Sequence, residues 1–244
     1  MYTNAIENYL KQHSYHHIHL KAVLFDMDGV LFNSMPNHAR AWNEAMKHYG
    51  MHLSCEEAYL HEGRTGASTI NIVSQRERGH DATPEEIERI YHTKTEIFNS
   101  YPKAERMPGA WEAIRQMKAD GLTIMVVTGS GQASLLERLN RNFPDTFRQE
   151  LMVTAYDVKH GKPSPEPYLM ALEKAGLHPN EAIVVENAPM GVHAGVAAGI
   201  FTVAVNTGPL PDQVLLDEGA NLLLPSMLAL SEQWEELYKE LGEE

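Results

Sequence analysis

The chain has 244 residues, with 20 Lys and Arg against 33 Asp and Glu, a formal net charge of −13, and 43% apolar side chains. This composition is acidic and globular, which excludes a disordered or collagen-like chain; an acidic surface also repels phosphate backbones and anionic lipid, so neither nucleic acid nor membrane is an expected partner. A single cysteine, Cys55, excludes an internal disulfide, no apolar run approaches the ~18 residues of a membrane span, and the first twenty residues lack the apolar centre of a signal peptide, so a cytoplasmic protein, read as a monomer, is expected.

Residues 3–13 suit a short polar helix, and His13, His16, His17 and His19 follow it. No Cys or carboxylate lies among these histidines, so residues 1–20 are read as a solvated leader rather than a metal site. Ala22 to Phe25 is then a fully apolar strand ending in acids and Gly29. Similar β-rich runs recur at Leu122–Val127, Ala182–Val185 and Ile200–Val205, with a weaker one at Leu151–Val153, each followed by turn residues and a helical pattern. Continuous apolar strands alternating with helices indicate a doubly wound parallel α/β sheet, whose ligand lies outside the carboxyl ends of the strands.

Between the first two strands everything reads as helix. Pro36 opens one with Ala39, Trp42, Met46 and Tyr49 at turn spacing before Gly50, and another ends near Gly79. Thr83-Pro84-Glu85-Glu86 is a capping box, followed by Ile87, Ile90, Tyr91 and Ile97 on one face. About 65 helical residues far exceed the dozen or so a crossover needs, so 34–102 is read as an inserted helical cap and 21–33 with 103–244 as the core. The hinges fall near Asn33–Pro36 and Tyr101–Pro108. The Glu-rich run from Trp234 to Glu244 reads as a solvated helix, and Met125, Met152 and Met170 as core.

Four segments carry candidate chemistry. In Asp26-Met27-Asp28-Gly29, the first carboxylate can attack phosphorus and the second, two residues on, can trade protons with the leaving or entering oxygen. In Thr128-Gly129-Ser130-Gly131-Gln132, a hydroxyl and glycine-freed N–H groups suit a phosphate cradle. Gly161-Lys162-Pro163-Ser164-Pro165 holds an ammonium rigidly, as a transferring phosphoryl group requires. Glu186 and Asn187 at a strand end offer oxygen ligands for Mg²⁺, although Asn187 also suits a helix N-cap.

DMDGVLFNS, VVTGS, GKPSPEPY and VVENAPMGVHAGVAAG together resemble, in order, the four motifs of the haloacid dehalogenase-like phosphatase and phosphomutase superfamily, over about Lys21 to Val205. The branch most similar is that of β-phosphoglucomutase and phosphoglycolate phosphatase, and the resemblance implies a Rossmann-like core with a helical cap. It implies Asp26 as nucleophile and metal ligand, Asp28 as acid/base whose carbonyl also meets Mg²⁺, Thr128 and Lys162 as phosphate holders with Gly129 and Ser130 beside them, and Glu186 and Asn187 at the metal. His38, with Ala41 and Trp42, resembles the H-x-x-A-W of mutase-like members and is read as a substrate contact near the hinge.

Two departures shape the functional reading. Asn187 stands where the family usually has Asp, which removes a formal charge from the metal shell. In the cap segment His61-Glu62-Gly63-Arg64-Thr65-Gly66, the mutase's Lys and Arg positions read Glu62 and Gly66. Glu62 facing a phosphate would be repulsive without a cation between them, so Glu62 is read either as completing the Mg²⁺ shell, directly or through water, with Arg64 contacting a distal anionic group, or as a solvated cap residue. A compact, doubly phosphoryl substrate such as inorganic pyrophosphate then fits better than a sugar bisphosphate. The expected activity is Mg²⁺-dependent phosphohydrolysis through an aspartyl-phosphate. A β-phosphoglucomutase and a non-catalytic phosphate-binding regulator are the alternatives.

Overall fold

A computed structural model of the chain describes residues 2–130 and 135–242, so Gly131 and Gln132 of the second motif and the last two residues of the C-terminal run lie outside it. Helix α1 (Thr3–His13) leads into strand β1 (Ala22–Phe25), after which α2 (Met35–His48), α3 (Cys55–Leu60), α4 (Gly66–Arg78) and α5 (Pro84–Ser100) form the cap. The chain returns through α6 (Ala110–Ala119), β2 (Thr123–Val126), α7 (Leu135–Asn142), α8 (Glu166–Ala175), β3 (Ala182–Glu186), α9 (Pro189–Ala197), β4 (Phe201–Val205), α10 (Asp212–Asp217), β5 (Leu222–Leu224) and α11 (Met227–Gly242). The five strands are all parallel, in the order β2-β1-β3-β4-β5. Strand order reverses at β1, between β2 and β3, which is where such sheets bind their ligands. Phe25 lies in register with Val126 on one side and Val185 on the other, so Asp26 and Glu186 leave the sheet at one level, beside Val127 and Thr128.

Side-chain alternation divides the core. Val23 and Phe25 of β1 point into one apolar layer with Ile114 and Met117 of α6 and Leu230 and Trp234 of α11, while Ala22 and Leu24 point into the other with Tyr168 and Leu172 of α8 and Ala194 of α9. The cap has its own apolar centre, which includes Ala39, Met46, Leu53, Ile70, Val73 and Ile90. Its last helix starts at the capping box: Glu86 N–H donates to Thr83 Oγ1 at 3.3 Å and Thr83 N–H to Glu86 Oε2 at 2.9 Å. At the hinge the entering and leaving chains pair directly, Asn33 N–H donating to Glu105 O at 3.0 Å and Met107 N–H to Leu31 O at 2.9 Å. No helix among the described residues is long and apolar enough to cross a membrane.

Three expectations require correction. The leader is not solvated: Tyr2, Ile6 and Tyr9 recur at helical spacing, are buried, and join the core layer of β1 and α11. The Tyr9 hydroxyl donates to Gly199 O at 2.9 Å, and its ring stands edge-on to Phe201. The C-terminal run is likewise amphipathic rather than solvated, with Trp234, Leu237 and Leu241 buried against the sheet. Leu151–Val153 is not a strand: Leu151 ends a 3-10 turn, Gln149–Leu151, and Val153 makes one isolated bridge to Val127; the fifth strand is Leu222–Leu224, a run too short for periodicity to mark.

Candidate active site

The site lies where the carboxyl ends of β1 and β3 meet the cap. Asp26, first residue after β1, is buried and anchored by its own N–H, which donates to Val185 O at 3.0 Å. The Lys162 ammonium reaches it from the loop before α8, donating to Asp26 Oδ1, to Glu186 Oε1 at 2.6 Å and to Val127 O at 3.1 Å. Glu186 is fully engaged: Oε1 also accepts from the Tyr168 hydroxyl at 2.8 Å, and Oε2 accepts from the backbone N–H groups of Asn187 and Ala188. Burial works against the ammonium, but Asp26 and Glu186 outweigh it and hold Lys162 protonated. Burial also pushes the Asp26 carboxyl up to about 7 against the pull of Lys162, because Glu186 and Asp28 crowd it with like charge.

Asp28 turns the other way, towards the cap. Its Oδ1 accepts from the Ser34 hydroxyl at 2.5 Å and lies 3.4 Å from His38 Nε2. Burial alone would raise this carboxyl, yet His38, Ser34 and Arg138 together hold it well below the usual carboxylate range. On the far side of the imidazole, Lys94 Nζ sits 2.8 Å from Nδ1, and the ring stacks on Phe98 with centroids 4.1 Å apart. Burial and then Lys94 lower the His38 pKa, with Asp28 opposing them, and the ring is held between the Lys94 ammonium at Nδ1 and the Asp28 carboxylate at Nε2. Lys94 is itself lowered to about 8 by burial, which Asp28 partly offsets.

Glu62, on the cap loop between α3 and α4, meets the core here. Both of its oxygens accept from Asn187 Nδ2 at 3.1 Å, while Asn187 Oδ1 is buried and makes no hydrogen bond among the described residues. Burial, and then Asp26, push the Glu62 carboxyl well above its ordinary value. Gly29 permits this approach: a Cβ there would lie 2.1 Å from Asn187 Nδ2, and its φ of +82° disfavours any other residue. Thr128 is buried, its Oγ1 accepting from Ser130 N–H at 3.1 Å, and with Gly129 and Ser130 it lines the cavity between core and cap. Arg64 also lines it, with its Nε buried and without a hydrogen-bond partner among the described residues.

The candidate site residues that lie among the described residues therefore converge on one region, with Asp26, Lys162, Glu186 and Asn187 at the core and Asp28, His38, Glu62 and Arg64 towards the cap. Sequence reasoning missed Lys94 and Arg138. Lys94 carried a signal, since it falls on the same helical stripe as Ile87, Ile90 and Tyr91, where an aliphatic residue would be expected. Arg138, whose guanidinium lies 3.9 Å over the Phe32 ring centroid, sits on a polar helix and carried none. Among the described residues no group of three or more His, Cys, Asp or Glu side chains is placed around a single point as a metal shell. Asp26, Glu186 and Asp28 each raise the Glu62 carboxyl by like charge, and Asn187 Oδ1 is buried without a hydrogen bond among the described residues.

Comparison with known proteins places this geometry. The profile of haloacid dehalogenase-like hydrolases matches residues 23–205, which run from β1 to the end of β4. The chain belongs to that family. It is 32% identical to hexitol phosphatase A of Escherichia coli over 188 residues, covering 76% of this chain and 83% of that protein. Phosphorylated carbohydrates phosphatase of Thermotoga maritima is 30% identical over 206 residues, covering 84% and 94%. A solved structure named "Putative beta-phosphoglucomutase from Bacteroides vulgatus" is 67% identical, with a TM-score of 0.97 over 99% of this chain and 98% of that one. This haloacid dehalogenase-like chain is accordingly an enzyme, and the alternative of a non-catalytic regulator falls away.

Proposed function

We propose that the protein is a Mg²⁺-dependent phosphohydrolase that works through an aspartyl-phosphate, with inorganic pyrophosphate as its preferred substrate. The observation that carries this reading is the charge layout of the cavity. Its lining brings the acids Asp26, Asp28 and Glu62 together with the cations Arg64, Lys94 and Arg138. A substrate that is phosphoryl at both ends matches that layout, with one end over Asp26 and the other against the cations. The cavity is about 120 Å³, small beside the roughly 300–1,000 Å³ of sites for larger organic ligands.

The residues present fit a hard divalent cation. Asp26, Asp28, Glu62 and Glu186 crowd one region with Lys162 as the only cation among the lower four, and Asn187 Oδ1 is a buried oxygen without a donor. Asp26, the Asp28 carbonyl, Asn187 and Glu62 would hold Mg²⁺, with Glu186 behind them. When bound, the ion supplies positive charge to the phosphoryl oxygens. The chain's own groups do the rest. An Asp26 oxygen forms a bond to phosphorus as the bridging P–O bond breaks, and the leaving phosphate departs towards Lys94, Arg64 and Arg138. Lys162 neutralises charge on the transferred group, and Thr128 with Gly129 and Ser130 orients it. Water then attacks the aspartyl-phosphate, gives its proton to Asp28 and releases the second phosphate with the Asp26 carboxylate restored. His38, Ser34 and Arg138 hold the Asp28 carboxyl below the usual carboxylate range, so it is ionised and has a free lone pair to receive the water's proton.

A second reading, a sugar-phosphate phosphatase or β-phosphoglucomutase, is favoured by the names of the relatives and by His38, Ala41 and Trp42 at the hinge. Phosphate release is to be measured with Mg²⁺ on pyrophosphate, hexitol phosphate, β-glucose 1-phosphate and phosphoglycolate, with Asp26→Asn as the blank. The expected result is a kcat/KM for pyrophosphate at least ~10-fold above the others. Faster turnover of a sugar phosphate, or isomerisation of β-glucose 1-phosphate with a bisphosphate primer, overturns it.

A further inference from the structure

Two cap helices, α4 and α5, meet beside the cavity. Gly66 opens α4, directly after the Thr65 cap, and the ring of Tyr91 on α5 lies against it. A Cβ at position 66 would fall 2.3 Å from Tyr91 Cδ2 and 2.5 Å from Cε2, so the ring occupies the volume of a side chain that Gly66 lacks. On its other flank the ring faces Trp42, centroids 6.3 Å apart, and the Lys94 ammonium at 6.0 Å. Tyr91 is thus wedged between the start of α4 and the Trp42–Lys94 wall. It lines the cavity and is still 44% exposed, which puts it on the boundary between the cavity and solvent.

We propose that Tyr91, seated on Gly66, is the specificity-determining wall of this site: its ring limits the size of the leaving group that the cavity admits. An aromatic ring suits that role because two χ angles fix a large volume at little entropic cost, and Gly66 lets it sit deeper than any other residue would. The inference rests on the substrate reading above and deepens it.

The test compares wild type, Tyr91→Ala and Tyr91→Phe, each loaded with Mg²⁺, on pyrophosphate, phosphoglycolate and glucose phosphates. The readout is the ratio of kcat/KM for the hexose phosphate to that for pyrophosphate, which a loss of folded enzyme would not move. Tyr91→Ala is expected to raise that ratio at least ~10-fold, mainly through a lower KM for the hexose phosphate, with phosphoglycolate in between. Tyr91→Phe should keep the wild-type ratio, since the ring and not the hydroxyl fills the space. An unchanged ratio in Tyr91→Ala, or an equal shift in Tyr91→Phe, overturns the proposal. Were wild type to prefer hexose phosphates, the substrate reading would fail by itself, and the wall would still stand or fall on whether Tyr91→Ala moves the ratio.

Discussion

Lys162→Met removes the one cation that holds Asp26 and Glu186 together. Lys162 is 4% exposed and donates to two carboxylates and a carbonyl, so methionine fills the volume but leaves both acids buried without a counter-ion. Breaking a buried pair from one side costs about 3–5 kcal/mol. The cost depends on pH in a direction fixed by the carboxyls. In wild type, burial already lifts Asp26 to about 7 although Lys162 opposes it; without Lys162 the carboxyl rises further. A carboxyl whose folded pKa lies above its unfolded value stabilises the fold most when protonated and loses that contribution as pH climbs to the folded pKa. Wild type stops losing stability near pH 7, whereas the variant continues to lose it above, at about 1.4 kcal/mol per pH unit. Urea denaturation at pH 6 and pH 9 reads the gap between the two proteins, which should widen by at least ~2 kcal/mol at the higher pH. Phosphate release at pH 7 should fall at least ~10²–10³-fold. A gap that is equal at both pH values, or activity within tenfold of wild type, would refute the pairing described here.

Three other changes probe separate parts of the molecule. Glu62→Ala should raise the Mg²⁺ concentration for half-maximal phosphate release by about 10–100-fold, and an unchanged midpoint in a Mg²⁺ titration removes Glu62 from the metal shell. Because burial brings Lys94 to about 8, kcat/KM should decline as pH rises through that value and the ammonium is lost; Lys94→Arg, which stays charged, should carry the limb to higher pH, and a pH–rate profile with the same limb in both proteins contradicts the role. Tyr9→Ala removes a ring that is 1% exposed, at a cost of about 3–5 kcal/mol, so calorimetry should show Tm lowered by roughly 6–20 °C; a shift below ~2 °C means the leader is not part of the core.

What the sequence revealed follows from the range over which each signal acts. Asp26, Asp28, Thr128, Lys162, Glu186 and Asn187 are legible because each sits at the end of a strand or in a Pro-fixed loop, so a few neighbouring residues define its setting. The Thr83–Glu86 capping box is legible for the same reason. Glu62 was noticed only as a departure at a matched position, and its meeting with Asn187 spans 125 residues of chain. Lys94 and Arg138 reach the cavity from helices whose tertiary placement no local pattern encodes. The burial of Tyr9 and Trp234 was hidden because polar and charged residues interrupt the apolar ones along each helix, and only the helical stripe, joined to the same layer as β1, explains why both are covered.

The pairing of Leu31–Asn33 with Glu105–Met107 bears on how the chain is assembled. An insertion of some seventy residues leaves the core and returns to nearly the same point, carrying its own apolar centre. The entropy of closing such a loop grows only logarithmically with its length, so the core bears almost the same cost for a long cap as for a short turn. The cap is therefore nearly decoupled from the stability of the sheet. A change within the cap's own apolar centre falls first on the cap, while the sheet keeps its short closure at the paired hinge segments.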